Sequence, residues 1–201
     1  MFEYTGSLGK KKEEPKEVNT QRPPTVNEMK VRLKFGLATH FLSKANSLIK
    51  IGYRKAVKGY ASEMNIAVKH TINNAITGDF PNFSIDYCKF ALTHAKQDID
   101  YAGDPYTFLS AGCIVQIYWR NTPYPLRYTS PSDPLMIFLY CEKTDQGIIV
   151  ERAAKRGDLK HTLHMQPEFA GSSWHIWMFF MSDNEKLVAK SHYLGEVTLI
   201  G

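Results

Sequence analysis

Residues 172–182 read SSWHIWMFFMS, with no lysine, arginine or acidic side chain among them. A strand points successive side chains to opposite faces, so a strand that is half in water alternates apolar and polar residues. Here both sets are largely apolar. Trp174, Ile176, Met178 and Phe180 share one face, and His175, Trp177, Phe179 and Met181 share the other. LMIFLYC at 135–141 has the same two-sided character. A sheet built from such strands needs cover on both faces, because an apolar patch of that size is unusual on a free surface.

One face has an evident cover. From residue 81 onward the pattern is that of short strands separated by turn chemistry. Strands are expected at 83–96 (one or two), 113–120, 135–142, 147–152, 158–165, 173–181 and 186–200. Between them lie Asn-Thr-Pro at 121–123, Ser-Pro-Ser-Asp-Pro at 130–134, Asp-Gln-Gly at 145–147, Arg-Gly-Asp at 156–158 and Ser-Asp-Asn at 182–184. About seven such strands predict a β-sandwich, in which the inner faces of two sheets cover each other. In 113–120, Cys113, Val115, Ile117 and Trp119 fall on the core face, and Gln116, Tyr118 and Arg120 on the other.

Upstream sequence offers a cover for the second face. Thr25-Val-Asn-Glu28 is a capping box, and Pro23-Pro24 keeps the chain before it extended. A helix is expected from there to about Ser43, with Val26, Met29, Leu33, Leu37 and Phe41 as its apolar stripe. Gly52 marks an expected break before a second helix over about 61–76. That helix carries Met64, Ala67, Val68, Thr71, Ile72, Ala75 and Ile76 on one side, and Gly78 stops it. The expected fold is α+β: two amphipathic helices packed on a seven-strand sandwich in three layers. The competing cover is a second protein chain, which would make Trp177, Phe179 and Met181 partner-binding residues.

Residues 1–24 differ in kind. GKKKEEPKEVNTQRPP has too little apolar surface to offset the entropy of ordering, so a flexible arm is expected. Phe2, Tyr4 and Leu8 near its start are candidate partner-binding residues. The expected organisation is thus an arm at 1–24, a helical layer at 25–80 and a sandwich at 81–201.

The chemistry of the remaining side chains is sparse. Three cysteines, an odd number with no Cys-x-x-Cys, stand in apolar, strand-like surroundings, which argues against a disulfide scaffold or a structural zinc site. His161 and His164 lie on an expected strand, where they point to opposite faces. Asp98, Asp100 and Asp104 lack the bidentate glutamate of a calcium loop. Arg-Gly-Asp at 156–158 is a good turn. No nucleophile-elbow, zinc-protease or phosphate-loop pattern occurs. No metal, cofactor or catalytic residue is therefore expected. A net charge of +5 without a long basic run fits a solvated surface better than a nucleic-acid footprint. No secretion signal or apolar span of membrane length is evident. Synthesis in the cytoplasm is expected, with the final location, such as a virion or surface assembly, left open.

Two resemblances add to this. Ile114–Trp119 as a second strand ending in Trp, and Leu163-x-x-x-Pro167 followed by Trp174-x-Ile176-x-Met178 as a sixth, resemble fibronectin type III and immunoglobulin-like sandwiches. NTQRPPT, RLKFGLATHFLS, IGY, NNAITGDFPNFSIDYCKF and HYLGEVTLIG resemble an uncharacterised family of Bacteroidota chains of this length, a domain of unknown function. That family opens with a Gly/Lys/Trp-rich segment, in whose place stands FEYTGSLGKKKEEPKE. The resemblance implies a fold and a bacterial or phage setting, with no activity. The expected function is a non-enzymatic structural or assembly protein with protein partners, self-association included. The alternatives are a carbohydrate- or nucleic-acid-binding module and an enzyme with a dispersed site.

Overall fold

The computed structural model describes residues 22–57, 59–96 and 98–201. Phe2, Tyr4 and Leu8, with most of the arm, lie outside the described residues. Helix α1 (Val26–Ser43) starts at the expected box: Thr25 Oγ1 accepts from the Glu28 N–H, and the Glu28 carboxylate accepts from the Thr25 N–H. Its expected stripe is only half right. The C-terminal half buries Ala38, Phe41 and Leu42, whereas Val26 and Leu33 of the stripe are exposed, as are Val31 and Phe35. The first half lies along the 80–83 segment through its lysines, with Lys30 over the Phe80 ring and Lys34 over the Phe83 ring, and these apolar residues face away from it.

The expected break at Gly52 is not there. Gly52 lies inside a short helix, α2 (Asn46–Tyr53). A Cβ at this position would stand 2.1 Å from the Leu92 carbonyl oxygen, so the glycine permits the 92–93 segment to lie against the helix. Helix α3 (Glu63–Asn74) is capped by Ser62 Oγ and buries Ala67, Val68 and Thr71 from its predicted stripe.

Nine strands come next among the described residues: β1 (Ile76–Thr77), β2 (Ser84–Ile85), β3 (Gly103–Ser110), β4 (Ile114–Arg120), β5 (Leu135–Cys141), β6 (Gln146–Val150), β7 (Lys160–His164), β8 (Ser173–Phe180) and β9 (His192–Thr198). They form a β1-β2 ribbon, a three-stranded sheet β3-β4-β7 and a four-stranded sheet β6-β5-β8-β9. The expectation of strands over 83–96 is corrected. Only Ser84–Ile85 is strand, and beyond it the chain spends hydrogen bonds on other groups: Leu92 N–H donates to Ser191 Oγ and His94 N–H to the Gly52 carbonyl. The first strand of the three-stranded sheet is β3, for which no strand is expected from the sequence.

The three- and four-stranded sheets enclose one core, in which Val115, Ile117 and Trp119 meet Leu135, Ile137, Leu139, Trp174, Ile176, Met178 and Phe180. A second core lies between the other face of the four-stranded sheet and the helices. There Met136, Phe138, Tyr140, Trp177, Phe179 and Met181 pack with Phe41, Leu48, Ile49, Tyr53, Ala67, Phe90 and Leu92. β5 and β8 pair with Phe138 opposite Trp177, and their rings stack at 5.5 Å. The chain's own helices are thus the cover. Trp177, Phe179 and Met181 are at most 2% exposed, which corrects their assignment as partner-binding residues: no second chain reaches them in this fold.

Arg-Gly-Asp at 156–158 forms a single 3-10 turn. Its arginine is buried: Nε donates to Asp133 Oδ2, Nη2 to the Asp100 carbonyl, and the guanidinium lies 4.0 Å over the Phe180 ring. Trp119 Nε1 donates to the Arg156 carbonyl, closing that end of the sandwich. Cys113 and Cys141 are buried free thiols, but Cys88 is exposed in a turn, against the expected apolar surroundings.

Candidate interaction surface

The three-stranded sheet has what the four-stranded sheet lacks: a face open to solvent. Along β3 the exposure alternates, with Asp104, Tyr106 and Phe108 outward and Pro105, Thr107 and Leu109 more covered. β4 alternates likewise, with Ile114, Gln116, Tyr118 and Arg120 outward. The register aligns these residues into rows. Tyr106 faces Tyr118, which faces Lys160; Phe108 faces Gln116, which faces Thr162; Ser110 faces Ile114, which faces His164.

Two aromatic rings form the centre. Tyr106 and Tyr118 stack with centroids 5.1 Å apart and planes inclined by 12°. Phe108 stands beside them, and Tyr106 and Phe108 are 55% and 58% exposed. Tyr118 donates its hydroxyl hydrogen to Gln116 Oε1 at 2.5 Å, and Gln116 Nε2 donates to Ser110 Oγ at 3.4 Å. The ring and the amide are thereby fixed over the strand rather than free to rotate. Around them stand Lys160, Thr162, Arg120 and Asp104, which offer hydrogen bonds and charge at a rim. The arrangement suits stacking and shape recognition.

Two other clusters bear on chemistry. A cleft of about 580 Å³ between α3, the 88–95 segment and the start of β9 is lined by His70, Asn74, His94, Lys190, Ser191 and Tyr193. Burial, and then the charge of His94, hold His70 below the ordinary imidazole range. Burial pushes the neighbouring Tyr53 phenol far up, and its proton is committed to the Ala91 carbonyl at 3.0 Å. That phenol ties α2 to the 88–95 segment, a structural task. The second cluster centres on Asp145, whose carboxylate takes Lys44 Nζ at 2.7 Å, His40 Nε2 at 2.7 Å and the Tyr140 hydroxyl at 3.0 Å. Lys44 first of all holds it down to about 2. The bonds join α1 and the chain after it to the turn between β5 and β6.

The carboxylates of the acidic loop part company: Asp98 pairs with Lys55, Asp104 with Arg120, and Asp100 accepts from the Leu126 N–H. His161 and His164 alternate on β7, His161 toward the interior and held low by burial, His164 outward. Sequence patterning places Tyr118 outward but misses Tyr106 and Phe108. The signal is present in GDPYTFLS, which alternates and ends at a Ser-Ala-Gly turn leading directly into β4.

The chain belongs to a family of unknown function (DUF6266), whose model matches residues 9–195. No curated protein matches it. Its neighbours among solved structures are fibronectin type III domains. The FN1-FN3 domains of chicken CNTN1 are 10% identical with a TM-score of 0.38, over 62% of this chain and 38% of that one. The fn3 domain of human collagen alpha-1(XX) chain is 10% identical with a TM-score of 0.35, over 53% of this chain and 90% of that one. The fn3 domain of human contactin 1 is 8% identical with a TM-score of 0.35, over 62% and 94% respectively. Among the described residues, no helix is long and apolar enough to cross a membrane.

Proposed function

We propose that this chain is a non-enzymatic assembly module, a subunit of a larger particle or filament that joins its neighbours through the outer face of the three-stranded sheet. The observation that supports this most is the placement of aromatic rings. The large side chains of β5 and β8 are buried on both faces, whereas Tyr106, Tyr118 and Phe108 gather on one open face with a polar rim. Protein contacts favour that composition: aromatic residues at the centre and charge at the edge. The reading takes the two larger sheets as one seven-strand, fibronectin-III-like sandwich. It places the chain in a Bacteroidota or phage setting, which rests on the sequence resemblance alone.

The test is the mass in solution by light scattering, for the native chain and for Phe108→Asp. An oligomer that Phe108→Asp shifts toward monomer supports the reading. A native chain that is a monomer at high concentration overturns self-assembly. A second reading, carbohydrate binding, draws on the parallel Tyr106–Tyr118 pair beside Gln116, Thr162 and Lys160, since a sugar ring stacks on an aromatic face and bonds to flanking amides and hydroxyls. Calorimetric titration with neutral oligosaccharides separates the two: heat that Tyr118→Ser abolishes favours the sugar, and its absence removes that reading.

A further inference from the structure

One side of the sandwich is closed where β3 approaches β9. The other is not. β6 ends the four-stranded sheet and β7 ends the three-stranded sheet, and among the described residues neither has a strand on its outer side. Between them runs an open groove of about 620 Å³, lined by Ile148, Val150, Leu163, Met165 and Phe169, with Lys44 at one end. Ile148 and Val150 pair with Leu139 and Ile137, so they point into the core between the sheets. The groove is therefore an opening onto the core, bordered by unpaired strand backbone. Such edges are templates for another strand and are usually blunted or covered.

The chain carries a segment of matching pattern. Residues 2–8 are Phe-Glu-Tyr-Thr-Gly-Ser-Leu, with Phe2, Tyr4, Gly6 and Leu8 alternating with Glu3, Thr5 and Ser7. That is the period-two pattern of a strand with one apolar face. At ~3.3 Å per residue it spans about 23 Å, enough to run the length of either five-residue edge strand. The thirteen residues 9–21 then reach as far as about 43 Å when extended.

We propose that residues 2–8 of one copy enter the groove of a second copy as an added strand, with Phe2, Tyr4 and Leu8 over Met165, Phe169 and Val150. A second copy is favoured over the same chain by the first half of α1. Val31 and Phe35 there are 67% and 53% exposed, with Val26 and Leu33 beside them. The segment leads, through residues 9–25, into this helix. A neighbour that takes the segment is held close to that apolar face and can cover it, whereas folding the segment back into its own groove supplies no such cover. Added strands of this type gain affinity from main-chain hydrogen bonds and selectivity from alternate side chains. The inference rests on the assembly reading and adds to the open sheet face a second contact, the oligomer needing both.

The test uses the native chain, the chain lacking residues 1–8, and a fluorescent peptide of residues 1–12. Expected are an oligomer of the native chain by light scattering and dissociation on loss of residues 1–8. Peptide binding to the shortened chain is expected, weakened roughly tenfold or more by Met165→Lys. A native monomer overturns the assembly reading and this one with it. An oligomer that survives loss of residues 1–8 leaves assembly standing and overturns strand exchange. A native monomer whose shortened form still binds peptide overturns the second copy as occupant. Circular dichroism of Met165→Lys confirms that weakened binding reflects the groove, and Phe2→Asp in the peptide gives the same loss without touching the fold.

Discussion

The two larger sheets obey the same geometry and present opposite surfaces. In the three-stranded sheet, β3 and β4 alternate between covered and exposed residues, as a sheet with one wet face must. In the four-stranded sheet every residue of β5 and all but the first of β8 are buried. The difference comes from a third layer. Phe41, Leu48, Ile49 and Phe90 occupy the space where solvent would otherwise be. A strand apolar on both sides is thus a statement about its neighbours in space, and on the proposed reading a strand with aromatic residues on its polar side is a statement about what it meets outside the chain.

That contrast can be broken by mutation, starting where cover is complete. Trp177→Ala removes a ring that touches Phe41, Phe90, Phe138 and Tyr193, and a loss of about 3–5 kcal/mol in urea unfolding is expected. If that ring were instead an outward contact residue, the change would be near zero. Asp133→Ala leaves the buried Arg156 guanidinium without its carboxylate, and about 3–5 kcal/mol should again be lost. Gly52→Ala tests how closely the covering layer is laid down. The added methyl meets the Leu92 carbonyl, and a cost of about 1–3 kcal/mol is expected, seen as a lower Tm. At the other extreme stands Phe108→Thr, on the open face. Its effect on stability should stay within about 0.5 kcal/mol while self-association weakens, a separation that a buried structural role would not produce.

Acid sharpens the same comparison. Burial holds His70, His161, His175 and His192 below the ordinary imidazole value. The unfolded chain then takes up protons that the folded chain refuses, so this contribution is whole above about pH 6.5 and is lost as pH falls below it. Asp145 acts lower: its carboxylate, brought from 3.8 to about 2, contributes above the higher value and loses its effect as pH falls through the lower. Urea midpoints should fall between pH 7.5 and 5.5 and fall again toward pH 3. A flat profile over the first interval would contradict the burial of these imidazoles.

Much of the architecture was legible because it is written in local periodicity. The capping box at Thr25–Glu28, the α3 stripe and the two-sided strands β5 and β8 each arise from spacing within one element, and the need for a cover arises from the strands alone. What escaped was written in no single segment. Gly52 looks like a helix break until Leu92 is found lying on it. Residues 83–96 alternate enough to read as strands, but their backbone bonds go to Gly52 and Ser191. The stripe on α1 looks continuous, yet Val26 and Leu33 in its first half are exposed.

The candidate surface divides in the same way. By itself the sequence determined that Trp177, Phe179 and Met181 need cover, that the 113–120 strand has a polar side, and that residues 1–24 differ in composition from the rest of the chain. Only the tertiary structure decided that helices rather than a partner provide the cover. Only it placed Tyr106 and Phe108 beside Tyr118 on an open face. The reason is physical: side-chain direction is set by the backbone of one element, whereas exposure depends on which distant element occupies the space that the side chain faces.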